Sequence, residues 1–201
     1  MQETEKRLGL AIEAAHVLKM AVDNRYPRKA VINRTVLVKV DNDDYSPNPD
    51  SLVDIKAKLI DDQAALSVKT GSWHGDSTRE EYEVNVHRAD FGNLLTILRL
   101  LGYRRFILLV TTRTIWTGNG VIITLDEYLK LDKALFEVEL EDADTGDEDA
   151  IDEVFASLGQ EPFNSAQTIA FIASLNRAEE ARVDLDRILP EELARELAVR
   201  H

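Results

Sequence analysis

Cysteine is absent from the 201 residues, which excludes disulfides and thiolate metal sites and suits a reducing compartment. No apolar run reaches the roughly 18 residues that a membrane-spanning helix requires. Residues 1–20 mix charges among their apolar positions, unlike a secretory signal, so a cytoplasmic protein without a membrane partner is expected. A basic excess is also lacking. The formal net charge of -13 argues against nucleic acid as the main partner, because neutralising phosphates needs a cationic surface. That imbalance is local: Glu137 to Glu153 holds ten acidic residues and no basic one, leaving 27 acidic residues against 24 Lys and Arg elsewhere. The four histidines, His16, His74, His87 and His201, have no ligand spacing, and no serine nucleophile motif accompanies them. Gly118-Asn119-Gly120 lacks the Gly-Lys-Ser/Thr ending of a phosphate loop and reads as a hairpin turn. There is no internal repeat.

The chain reads as one α+β domain over 1–201. An N-terminal helical segment spans 1–30, with Leu8, Ala11, Ala15, Leu18 and Val22 at helical spacing and Pro27 closing it. The main strands fall within 31–142: TVLVKV at 35–40, VDIKAKLI at 53–60, AALSVK at 64–69 and TREEYEVNV at 78–86. A leucine-rich helix over 90–101 follows, then a hairpin through 104–126, then LFEVELE at 135–141. The C-terminal part, 147–201, reads as helices, and its free helical surface leaves room for a homodimer.

Several of these strands have one ionic side. Alternation groups Arg79, Glu81, Glu83 and Asn85 on one face; Asp54, Lys56 and Lys58 on another; Ser67 and Lys69; and Glu137, Glu139 and Glu141. Arg113 shares a face with Thr111, and Asp126 with Thr124. One arrangement that accounts for this is an antiparallel sheet with a solvated side. The other is a closed barrel whose inner wall carries the charges and whose apolar outer wall is covered by helices. Enclosed charges of both signs must pair or receive ions. A polyphosphate gripped by the basic groups and a divalent cation held by the carboxylates would satisfy both sets. Oxygen donors without a His or Cys cluster suit Mg²⁺ or Mn²⁺.

In order along the chain, these motifs resemble the CYTH domains, also called triphosphate tunnel metalloenzymes, a family that includes class IV adenylate cyclases, thiamine triphosphatases and inorganic triphosphatases. Lys56-x-Lys58 stands where the family usually has Arg-x-Arg, Ser67-x-Lys69 is similar to its Thr-x-Lys, and Arg79-x-Glu81-x-Glu83 to its Arg-x-Glu-x-Glu strand. Leu100-Leu101-Gly102-Tyr103, Arg113, Leu125-Asp126 and Phe136-Glu137-Val138-Glu139 follow, and the helix closing on Leu158-Gly159 precedes another over 165–175. Two positions depart from the pattern. Lysines replace the forked arginines at 56 and 58. The family's first strand, Glu-x-Glu-x-Lys, has only Glu3-x-Glu5-x-Arg7 as a counterpart, and this stretch reads equally as the first turn of the following helix.

The resemblance implies a closed, eight-stranded antiparallel tunnel with helices packed outside. It also implies Lys56, Lys58, Lys69, Arg79 and Arg113 as triphosphate ligands. Glu81, Glu83, Glu137 and Glu139 would hold Mg²⁺ or Mn²⁺, with Glu81 and Glu139 in catalytic roles. The implied activity is metal-dependent hydrolysis of an inorganic or organic triphosphate, or cyclisation of ATP. Two readings stand beside it: a catalytically degenerate module that binds polyphosphate, nucleotide or another organic anion, and a structural protein whose ionic faces are merely wet.

Overall fold

The computed structural model describes residues 5–46, 48, 50–61, 63–71, 80–142 and 149–198. Strand β1, Glu5–Ala11, opens the described chain and runs into helix α1, Ile12–Asp23. The 1–30 segment is therefore not simply helical. Seven consecutive register pairs with a partner strand, Glu5↔Glu139 to Ala11↔Lys133, hold the stretch extended despite its poor strand propensity. Strands β2, Arg28–Lys39; β3, Val53–Ile60; β4, Gln63–Thr70; and β5, Glu80–His87, follow. Helix α2, Phe91–Leu100, precedes β6, Arg105–Gly118; β7, Val121–Tyr128; and β8, Lys133–Leu140. Helices α3, Asp149–Ser157, and α4, Ser165–Asn176, lead to a short strand β9, Arg182–Asp184, and helix α5, Pro190–Ala198. No described helix is long and apolar enough to cross a membrane.

All pairings are antiparallel, in the order β1-β8-β7-β6-β2-β3-β4-β5, with β9 attached to β6. The sheet thus has nine strands, and among the described residues β1 and β5 share no backbone ladder. This corrects the eight-stranded closed barrel. Arg7 pairs with Glu137 on the neighbouring strand, whereas Arg34–Asp126, Arg113–Glu137 and Lys58–Glu83 each reach across one intervening strand, so these charges neutralise one another without a backbone ladder between β1 and β5. The β6–β7 hairpin turns where expected, with Asn119 (φ 55°) and Gly120 (φ 75°) supplying the left-handed backbone of the tight turn.

Two apolar cores cover the outer face. One packs Ala15, Leu18 and Val22 of α1 and Ile151, Val154 and Phe155 of α3 on Leu8, Ile123, Phe136 and Val138. The other packs Phe91, Leu94, Leu95 and Leu98 of α2 and Leu193 and Leu197 of α5 on Leu37, Ile55, Ala57 and Leu59. These outward residues alternate with the ionic ones, so burying them fixes which residues face inward.

Helix α4 belongs to neither layer and rests against β1. Asn164 and Gln167 start it with a reciprocal capping box. Gly9 allows the approach: a Cβ there would lie 2.7 Å from Cγ of Phe171 and closer still to the ring edge. Replacing Gly9 with Val should destabilise the fold by about 1–3 kcal/mol through overpacking. Adding Phe171→Ala should recover part of that loss in chemical denaturation, and strictly additive effects would refute the contact as the cause.

Candidate functional site

The registers assign the ionic strand residues named from the sequence and described here to one inner face, except Glu141, which lies just past the end of β8. Lys69 faces Asp54, Lys56 faces Val38, and Arg34 faces Thr111. Continuing across the sheet, Arg113 faces Asp126, Thr124 faces Glu137, and Glu5 faces Glu139. On this face lies a cavity of about 170 Å³, lined from β1, β2, β3, β6, β7 and β8 and from α4.

The cavity's polar wall is a ladder of alternating charge. Arg7 donates to Glu5 and, through Nε at 2.6 Å, to Glu137. Arg113 donates to Glu137 at 3.1 Å and, through Nε at 2.8 Å, to Asp126. Arg34 reaches both Asp126 oxygens at 3.3 Å, and the Thr111 hydroxyl donates to the same carboxylate at 3.4 Å. Burial disfavours ionised Glu137, but the positive charges of Arg7 and Arg113 outweigh it and hold its pKa at about 2. Burial likewise disfavours the Arg113 cation, and Asp126 overcompensates, raising its pKa. Arg34 moves the other way: burial, then the positive charge of Arg113, lowers its pKa. Arg34 is thus less well compensated than Arg113. Burial also raises the Tyr128 phenol, so it stays neutral beside the ladder.

A second ionic cluster lies toward β5. Lys58 donates to Glu83 at 2.7 Å and to Glu81 at 3.4 Å, Lys69 lies 3.4 Å from Glu81, and the Ser67 hydroxyl donates to Glu81 at 2.6 Å. Burial raises Glu81, yet the Ser67 hydrogen bond and the two ammonium groups bring it to about 2. Lys56, which lines the cavity and pairs with Asp54 at 3.2 Å, stands between the clusters and also stabilises ionised Glu137.

The expected site residues therefore divide. Lys56, Arg113 and Glu137 line the cavity, and Glu139 lies one inner-face position along β8 from Glu137. Lys58, Lys69, Glu81 and Glu83 form the separate β3–β5 cluster. Arg79 and Glu3, along with His74 and His201, lie outside the described residues. Neither His16 nor His87 lines the cavity. Arg34 is not among the site residues expected from the sequence, although the strand pattern there reaches it. Extending the alternation Val38, Val36 by one step would have found it.

A divalent cation is tested by the donor set. Glu5, Glu137 and Glu139 offer oxygen alone on adjoining strands, which fits a hard ion such as Mg²⁺ or Mn²⁺ and disfavours zinc. Among the described residues no three acidic side chains already converge as a cation cage, and Arg7 links Glu5 to Glu137. These three glutamates are the ones that would hold the ion.

A family model for the CYTH domain matches residues 58–170. Among solved structures, the PH1012 protein from Pyrococcus horikoshii OT3 superposes with a TM-score of 0.62 at 15% identity, over 79% of this chain and 91% of that one. A putative adenylate cyclase from Bacillus halodurans gives 0.53 at 16% identity, over 81% and 92%. A putative adenylyl cyclase from Hippeastrum with a dominant triphosphatase activity gives 0.51 at 15%, over 80% and 89%. Identities this low show a shared fold. No curated protein matches the sequence.

Glu137 makes acid stability a direct readout of the ladder. Its pKa falls from 4.5 to about 2 on folding, so it contributes fully above pH 4.5, and its contribution is lost as pH falls toward 2. Chemical denaturation between pH 6 and 2 should show this decline in the wild type and a shallower one in Glu137→Gln. Parallel curves would contradict the pairing.

Proposed function

The chain belongs to the CYTH domain family, and on that footing we propose that it is a metal-assisted enzyme that hydrolyses a triphosphate. The observation that carries this reading is the row of guanidinium groups, Arg7, Arg34 and Arg113, along one cavity wall. Each presents a planar fork that matches two phosphate oxygens, and partial enclosure strengthens the attraction. Lys56 adds a point charge at the same cavity. Both lysines of the Lys56-x-Lys58 motif are compact charges, so the forked grip comes from Arg34 and Arg113 instead.

A cation bound to Glu5, Glu137 and Glu139 would supply the neutralisation of charge on the transferred phosphoryl group. The chain's own residues divide the remaining work. Asp126 orients Arg113 and Arg34, so that both reach the phosphates with little reorganisation. Glu137, with its pKa at about 2, stays ionised at neutral pH and positions Arg7 and Arg113. Glu81, also at about 2, is a weak base, and its contacts make it the anchor of Lys58 and Lys69. That leaves Glu139 as the better of the two sequence candidates for orienting the attacking water.

A second reading, anion binding without turnover, is favoured by one observation: Arg7 already bridges two of the three carboxylates that would hold the cation. Cyclisation of a nucleoside triphosphate is the alternative chemistry, and its cyclic product identifies it. Incubation with tripolyphosphate and Mg²⁺ or Mn²⁺ should release orthophosphate, and Glu139→Gln should abolish release while tripolyphosphate still binds. Arg113→Ala should weaken tripolyphosphate binding about 10- to 100-fold, the loss of one charge-assisted contact of about 1.5–3 kcal/mol. Tight binding without phosphate release by the wild type would replace the enzyme with the second reading. Absence of both would reduce the ionic face to a structural one.

A further inference from the structure

We infer that the cavity takes a phosphorylated ligand carrying a compact aliphatic group, and that α4 provides the surface against which that group lies. The inference rests on the phosphate-binding reading above and narrows its ligand. The inner face changes character in a single step on two neighbouring strands. Along β2 it runs Arg34, Val36, Val38; along β6 the partners are Thr111, Leu109 and Ile107. Beyond the arginines, Val36, Val38, Leu109 and Leu135 line the cavity from the sheet, and Phe171 and Ile172 line it from α4.

None of these six side chains belongs to either apolar core. They face enclosed space that they do not fill. A bare polyphosphate is anionic along its whole length and gains nothing from such a wall, since desolvating it there is costly. An ester with charge at one end and hydrocarbon at the other satisfies both halves, and the boundary at Arg34 sets its direction. Binding sites of this mixed kind fix orientation with a few polar groups and draw most contact from apolar ones.

Two further observations choose among apolar groups. The polar donors that α4 presents to the cavity are committed to backbone carbonyls: the Thr168 hydroxyl to Asn164 and the Asn176 amide to Tyr45. Both are occupied, so the α4 wall serves a hydrocarbon, while the polar lining of Lys39, Asp41, Asn48 and Ser51 lies at the end of β2 and in the segment leading to β3. The cavity volume of about 170 Å³ also falls below the roughly 300–1,000 Å³ of sites for larger ligands, so the group is small.

Calorimetric titration of the wild type with methyl diphosphate and isopentenyl diphosphate compares two esters with the same anionic head. The longer ester should bind at least about tenfold more tightly, because each buried methylene adds about 0.8 kcal/mol. Ile172→Asn should collapse that ratio toward one, and Leu109→Thr repeats the test from the sheet side should the α4 variant fail to fold. Equal affinities for the two esters, with tripolyphosphate still bound, would overturn this inference and leave the proposed function standing. If all three compounds fail to bind, both fall. A preserved ratio in both variants would move the hydrocarbon elsewhere and remove α4 from the argument.

Discussion

The sharing of two carboxylates among three guanidinium groups is the interaction on which the inner face depends. Glu137 serves Arg7 and Arg113, and Asp126 serves Arg113 and Arg34. Removing charges from water is costly, and the inner ions of the row, Arg7, Glu137, Arg113 and Asp126, recover that cost through neighbours on both sides. The ladder therefore behaves as a unit. Its end at Arg34 has the longest contacts, which makes it the place where an incoming anion displaces least.

The outer face makes this arrangement durable. Two cores, one under α1 and α3 and one under α2 and α5, bury alternate residues of most main strands, while Tyr82 and Val84 of β5 stay exposed. A slip of one residue in any register would expose Phe136 or Leu37 and turn a charge into a core. Specificity of the ionic side is thus enforced by the apolar side. Hydrophobic burial and charge placement are two consequences of one period-two pattern.

That pattern is also why much of the site was legible in the sequence. Lys56, Lys69, Arg113, Glu137 and Glu139 were assigned to the correct side because alternation depends only on local geometry. What stayed hidden depended on partners distant in sequence. Glu5 and Arg7 lie in a stretch with helix-like composition that becomes a strand because β8 offers it a ladder. Arg34 sits in the polar opening of β2, which is extended because β6 pairs with it residue by residue from Ala30 to Lys39. The division of the charges into two clusters follows from which ions find partners nearby. The short β9 carries too few residues for any periodicity to be read.

The central strand β6 is held along nearly its whole length by β2, while β9 takes the opposite edge of its opening residues and β7 that of its closing ones. Arg113 is carried where both edges are occupied. Its backbone is consequently a stiff mount, as are those of Arg34 and Glu137, whereas Arg7 is carried by a border strand whose other edge is met there by a hydrogen bond from the Phe163 amide to the Arg7 carbonyl. Accommodation to guests of different size then falls to the rim, and the anchoring point stays put.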